Sequence, residues 1–360
     1  MGEHTVHTDA DEAHLREFTK AVLCDLHVLE QMMTAGKFET GISRIGAEQE
    51  MFLVDSAMHP IPYSTQLISE AGDDRLTTEI GQFNLEANLT PLEFKGDCLS
   101  RLEAEISEIV GEVKSHIAGR RGDVVLCGIL PTIQESDLVE KNLTPGPRYA
   151  QLNKVLTALH GEERVVHIKG LDEIRLHHQD TFLEFCNTSF QIHLQPSVED
   201  FANSYNWAQA ISAPVLAAAV NSPVLLGHRL WHETRLALFQ HAVDERSPVH
   251  QGRSRPARVT FGRKWVDGSI AEIFHEDVAR FRIILTREIE ENSLETYRRG
   301  GTPELKAWRM HNGTVWRWNR PCYGILDGRP SLRIEARYLP SGPTVLDEVA
   351  TAAFFLGLMT

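Results

Sequence analysis

Thiols are scarce in this chain of 360 residues. Its five cysteines, at positions 24, 98, 127, 186 and 322, are odd in number, scattered and without a Cys-x-x-Cys pair. Such spacing indicates neither a disulfide framework nor a thiolate zinc site. Basic residues are outnumbered as well, 36 against 50 acidic ones, for a formal net charge of -14. A phosphate backbone requires a basic footprint, so nonspecific nucleic-acid binding is excluded as the main role. An anionic nucleotide held by local arginines and a divalent cation is not. The longest apolar run, 211–226, is broken by Pro214, Asn221, Ser222 and Pro223 and is too short and interrupted to span a membrane. The polar N-terminus shows no signal peptide, so a reduced, cytoplasmic setting is expected. Internal repeats, low-complexity linkers, a Walker loop and a dinucleotide fingerprint are all missing. So is any marked Ser-His-Asp or Cys-His constellation. Phosphate chemistry in this chain must use another scaffold.

What is present is a set of short segments with a polar, ionisable face. In 44–55, Glu48 and Glu50 stand two apart, so in a strand both carboxylates project to one side. Like charges this close cost free energy unless a cation or arginine compensates them. Two readings fit: an edge strand with one solvated face, or a sheet whose carboxylate face is a metal floor. A second such strand lies within 76–91, where Phe83 and Leu85 face one way and Asn84, Glu86 and Asn88 the other. Glu79 lies seven residues before Glu86, and a turn or bulge at Gly81 would return it toward the same cation; a solvated loop carboxylate is the alternative. In 188–196, Gln191 and His193 share a face opposite Phe190, Ile192 and Leu194. In 331–337, Arg333, Glu335 and Arg337 alternate with Leu332, Ile334 and Ala336. An Arg-x-Glu-x-Arg face suits a cation beside a phosphate, and Arg317 and Arg320 add candidate nucleotide contacts from a strand expected over 312–321.

The remaining segments support this floor. Residues 1–11 are expected to be loosely attached, with Asp11 capping a helix whose apolar stripe is Leu15, Phe18, Val22, Leu26 and Leu29. Helices are also predicted over 97–118, 149–159 and 211–220, and a buried strand over 124–130. Arg148 and Tyr149 beside a Pro/Gly-rich loop are either substrate contacts or structural. Arg235 is a candidate anionic-ligand contact. The histidines of 161–180 read as surface or loop residues. The basic run Arg246, Arg253, Arg255, Arg258, Arg263 and Lys264 is either a mobile cover over phosphates or a solvated loop. A final apolar helix runs almost to Thr360 with little chain after it, as expected of a truncated or a compact form.

Glutamates recurring in strands distant in sequence, with one histidine and no cysteine ligand, favour magnesium or manganese over structural zinc. The ordered set Gly46-x-Glu48-x-Glu50, Glu79 with Phe83 and Glu86, Gln191-x-His193, Asn221-Ser222-Pro223 and Glu335-x-Arg337 resembles the glutamate–cysteine ligase type 2 family, within the glutamine-synthetase-like carboxylate–amine ligases. The likeness runs from about residue 38 to 358. The resemblance implies an α+β fold with a curved, mainly antiparallel catalytic sheet backed by helices. It divides the chain into an N-terminal helical segment, 1–37, and a catalytic domain, 38–360, forming one compact unit. It implies one metal on Glu48, His193 and Glu335, a second on Glu50, Glu79 and Glu86, and Arg337 on the transferred phosphate. Arg333 and Arg235 join Arg337 as catalytic candidates; Gln191, Arg317 and Arg320 join it as nucleotide contacts.

The implied reaction uses ATP and magnesium, with manganese as the alternative. It phosphorylates a carboxylate and joins the acyl phosphate to an amine, glutamate plus cysteine in the namesake case. Small amino-acid or related substrates are expected, with no nucleic acid and no membrane; a homo-oligomer is left open. A phosphotransferase acting on a guanidino or amino compound, and a noncatalytic nucleotide or metal sensor, are the competing readings.

Overall fold

The computed structural model describes residues 6–7, 12–161, 163–246 and 256–360. Asp11 as a helix cap, and Arg253 and Arg255 as phosphate contacts, lie outside the described residues. Among those described, the strands are β1 Arg44–Asp55, β2 Leu76–Thr78, β3 Asn84–Asn88, β4 Leu92–Glu93, β5 Gly122–Val125, β6 Arg164–Lys169, β7 Glu173–His178, β8 Phe190–Gln195, β9 Val224–Leu225, β10 His228–Arg229, β11 Asn319–Leu326 and β12 Arg329–Ala336.

The main sheet runs β11-β12-β8-β1-β3-β2, with β4 and β5 also paired to β1; every pairing is antiparallel. It curls into a half-barrel in a mixed helix-and-strand fold. Register decides which residues share a face, because directly opposed residues project to the same side. Ala47, Ile192 and Ala336 align across β1, β8 and β12, as do Ile45, Leu194 and Ile334. All six are buried. Helices Cys98–Ala118, Phe201–Ala219 and Val345–Met359 pack on this apolar side. Burying it supplies the main stabilisation, at about 25 cal/mol per Å² of apolar surface.

Local chemistry sets the ends of these elements. β1 stops at Asp55, whose Oδ1 accepts from the backbone N–H groups of Ala57 and His59 at 2.8 and 2.9 Å and turns the chain. The last helix starts at Thr344, whose Oγ1 accepts from Asp347 N at 3.2 Å. Helix Glu12–Thr34 packs against Ala271–Arg280, Ser293–Arg298 and Lys306–Asn312. It is pinned by buried Asp25, which accepts from Ser293 Oγ at 2.6 Å and Trp308 N at 3.0 Å. None of the helices among the described residues is long and apolar enough to cross a membrane.

Several local expectations are corrected. The histidines expected on the surface of 161–180 lie on the β6–β7 hairpin rather than in a loop: His167 and His177 are exposed, while buried Arg164, Val166 and Ile168 alternate with exposed Val165, His167 and Lys169. The strand expected over 312–321 begins only at Asn319, after helix Lys306–Asn312 and a turn. The strand expected over 124–130 ends at Val125. Three of the four described members of the basic run are tied to neighbouring acids rather than free over a ligand. Arg246 pairs with Asp244 at 2.7 Å, Arg258 with Glu245 at 2.8 Å, and Lys264 with Glu272 at 2.9 Å.

Candidate active site

The opposite face of the same sheet carries the ionisable side chains. Glu48 lies opposite Gln191, Gly46 opposite His193, and His193 opposite Glu335, so β1, β8 and β12 place these groups on one side. Glu50 lies opposite Glu86, and Glu86 opposite Thr77, extending that face through β3 and β2. Two groups result. Glu48, His193 and Glu335 offer ligand atoms within 4.8 Å of one another, and so do Glu50, Glu79 and Glu86.

Glu79 is not on a strand, and Gly81 explains how it joins. The chain reverses there, with Asn84 N donating to Gly81 O at 2.9 Å. A Cβ on Gly81 would meet Asn84 Oδ1 at 2.3 Å and the Phe185 ring at 3.2 Å. The turn is held from outside by Thr144, whose N–H donates to Ile80 O at 2.9 Å and whose Oγ1 donates to Glu79 O at 2.5 Å.

Electrostatics distinguish the two groups. Burial pushes Glu79 well above the ordinary carboxylate range, and Glu86 and Glu50 add to it. Burial and then Glu48 push Glu86 up to about 7. Burial also raises Glu50, although Ser189 N donates to it at 2.7 Å and Gln191 Nε2 at 2.8 Å. In the other group, burial would raise Glu335, but Arg320 and Arg337 outweigh it and hold that carboxylate well below its usual range. Burial pushes His193 down to about 4 against the pull of Glu48. His193 Nε2 stands 3.5 Å from Glu48 Oε1 and makes no hydrogen bond among the described residues. A buried neutral imidazole with an orphaned nitrogen, and three carboxylates that cannot all ionise unaided, both fit divalent cations. The donors are carboxylate oxygens and one imidazole, a set suited to magnesium or manganese.

The predicted arginines separate into distinct positions. Arg320 binds Glu335 through Nη2 at 2.9 Å and Nε at 3.2 Å. Arg337 Nη1 donates to Glu335 Oε1 and, at 2.7 Å, to Gln191 Oε1. Gln191 in turn donates to Glu50, so one amide links the two carboxylate groups. A cavity opens over this polar face, lined by both carboxylate groups, and Arg333 lines it too. Its Nε is buried without a hydrogen-bond partner among the described residues. Room for it comes from Gly324, where a Cβ would meet Arg333 Nη1 at 2.5 Å.

Arg235 and Arg317 are placed elsewhere. Arg235 stands behind the cavity, buried against Glu233 at 3.3 Å and donating to the Arg337 carbonyl at 3.2 Å. The Asn221-Ser222-Pro223 segment holds it there, because Ser222 Oγ accepts from Arg235 N at 3.2 Å. Arg317 points away, into buried Asp277, with contacts of 2.6 and 3.0 Å. It is therefore a structural counter-ion where a nucleotide contact was expected. Its neighbour Trp316 lines the cavity instead.

Sequence reasoning missed Glu184. It lies in the helical turn Phe182–Cys186, where Phe182, Leu183, Phe185 and Cys186 are all buried. Only Glu184 of these five faces the cavity, which Arg148 and Tyr149 also line. One acid among four apolar residues was the available signal.

A curled antiparallel sheet with a helix-backed apolar side and two carboxylate groups on its polar side fits metal-assisted phosphate chemistry. The chain belongs to glutamate–cysteine ligase family 2, whose family model matches residues 44–360. Membership in a family of ligases implies the use of ATP and a divalent metal on small substrates. No curated protein matches the sequence. Among solved structures, it is similar to a bifunctional glutathione synthetase from Pasteurella multocida, at 12% identity and a TM-score of 0.45. The match covers 92% of this chain but only 40% of that one.

Proposed function

We propose that this chain joins glutamate to cysteine, forming γ-glutamylcysteine through a γ-glutamyl phosphate made from ATP with magnesium. The observation that carries the reading is the pair of carboxylate groups on one sheet face, bridged by Gln191 and flanked by Arg333 and Arg337. Magnesium ions held by Glu48, His193 and Glu335, and by Glu50, Glu79 and Glu86, would neutralise phosphate oxygens and align the γ-phosphoryl group.

The chain's own groups account for the rest. Arg333 lines the cavity, where its guanidinium can meet a phosphate oxygen. Arg337 is positioned over Gln191 and Glu335, where it can stabilise the transferring oxygens. The glutamate γ-carboxylate attacks the γ-phosphorus and ADP departs. Cysteine's amine then attacks the activated carbonyl and phosphate departs. Oriented cations and a shielded cavity suffice, so no protein nucleophile is required.

The test supplies glutamate, cysteine, ATP and magnesium and measures phosphate and γ-glutamylcysteine together. Stoichiometric release of both is expected. Phosphate with a different amide would reject this substrate pair and keep the ligase class. No nucleotide turnover with any amino-acid pair would overturn the reading.

A further inference from the structure

Of the six carboxylates that line this cavity, five belong to the two ligand groups and one does not. Glu184 belongs to neither ligand group, and although its backbone closes the helical turn, its carboxylate makes no hydrogen bond or ion pair among the described residues. Its position is nevertheless fixed. Phe185 packs edge-on to Phe83, with ring centroids 5.9 Å apart, and Phe182 stacks on Phe185 at 5.1 Å. Phe185 also abuts Gly81, so the turn bearing Glu184 packs on the turn bearing Glu79. The charged groups around Glu184 are Glu50, Glu79, Arg235 and Arg337. Arg235 is already bound to Glu233, and Arg337 to Gln191 and Glu335. Glu184 therefore faces the cavity as a carboxylate awaiting a cation, beside the centre where an acyl phosphate would form.

We infer that Glu184 receives the amine substrate as its ammonium ion and takes its proton as the amide bond forms, a role that rests on the acyl-phosphate reading above. The amine arrives as R–NH3+ and passes one proton to a Glu184 oxygen. The freed lone pair forms the C–N bond to the acyl carbon. The C–O bond to phosphate breaks, its electron pair leaving with the phosphate, and the second amine proton leaves with it too. Glu184 then returns its proton to water. Burial, with Glu50 adding to it, raises Glu184 well above the ordinary carboxylate range, which favours accepting a proton from an ammonium ion.

Hydroxylamine isolates this step, because it is unprotonated at neutral pH and needs no base. Wild-type enzyme and Glu184→Gln are compared with glutamate, ATP and magnesium, using either cysteine (or whichever amine the wild type accepts) or hydroxylamine. The expected result for Glu184→Gln is amide formation reduced about 100-fold or more, with hydroxamate formation unchanged and KM for glutamate unmoved. Retained hydroxamate formation also shows that the variant is folded. Glu184→Asp should recover part of the amide rate. Parallel loss of both products, a changed magnesium requirement, or an unchanged amide rate would each overturn the assignment. A wild-type enzyme that makes no hydroxamate with any acid would refute the acyl-phosphate reading itself, and this assignment with it.

Discussion

Replacing Glu86 with glutamine separates what the Glu50, Glu79 and Glu86 group does for binding from what it costs the fold. Glu86 is buried, and its carboxyl is pushed from an ordinary 4.5 to about 7. Between those values the folded protein holds a proton that the unfolded chain has released. Stability of the metal-free protein therefore falls as pH rises through that window. One carboxyl moved from 4.5 to about 7 corresponds to about 3 kcal/mol, at about 1.36 kcal/mol per pH unit. Glutamine removes the charge and keeps the shape. Its Oε1 can still accept from Asn88 Nδ2, now at 2.8 Å from Glu86 Oε1, and its amide can donate to Glu79. Chemical denaturation in EDTA at pH 8 should show Glu86→Gln more stable than wild type by up to about 3 kcal/mol, with the difference vanishing near pH 4.5. Saturating magnesium should stabilise wild type increasingly as pH rises, and the variant much less. A variant less stable than wild type at pH 8 in EDTA, or a wild-type curve flat between pH 5 and 8, would refute the reasoning.

Three further outcomes follow from the site. Arg337→Ala should lower kcat about 100- to 1,000-fold, the range for one lost transition-state donor, as measured by ADP release; turnover within a few-fold of wild type would remove Arg337 from phosphoryl transfer. Arg317→Ala leaves Asp277 buried without its counter-ion and should cost about 3–5 kcal/mol in denaturant unfolding, while kcat and nucleotide KM of the folded fraction stay unchanged. Gly324→Ala places a methyl group against the flexible end of Arg333. It should raise KM for ATP several-fold with a melting temperature within about 2 °C of wild type, and equal loss of stability and affinity would contradict that.

Alternation by two in 44–55, 84–88, 190–195 and 331–337 was enough to divide each strand into an apolar and a polar side. That is a property of extended backbone and needs no tertiary context. The ordered glutamates and His193 likewise carried the family resemblance, and Gly81 marked where a turn could return Glu79. Which strands lie side by side could not be read from alternation. Register brings Glu335 opposite His193 and Glu50 opposite Glu86, and register is set by packing between segments up to hundreds of residues apart. The arginines show the same limit. Arg317, Arg320, Arg333 and Arg337 look alike in sequence, and only folding reveals that Asp277 takes the first, Glu335 the second and fourth, and the cavity the third. Glu184 is the converse case. Its apolar neighbours are core, but a single helical turn buries those four side chains and leaves the fifth facing the cavity. The sequence by itself determined which side chains could form a polar floor. The tertiary structure decided which of them meet, because an ion pair or a ligand group depends on distances that local periodicity does not set.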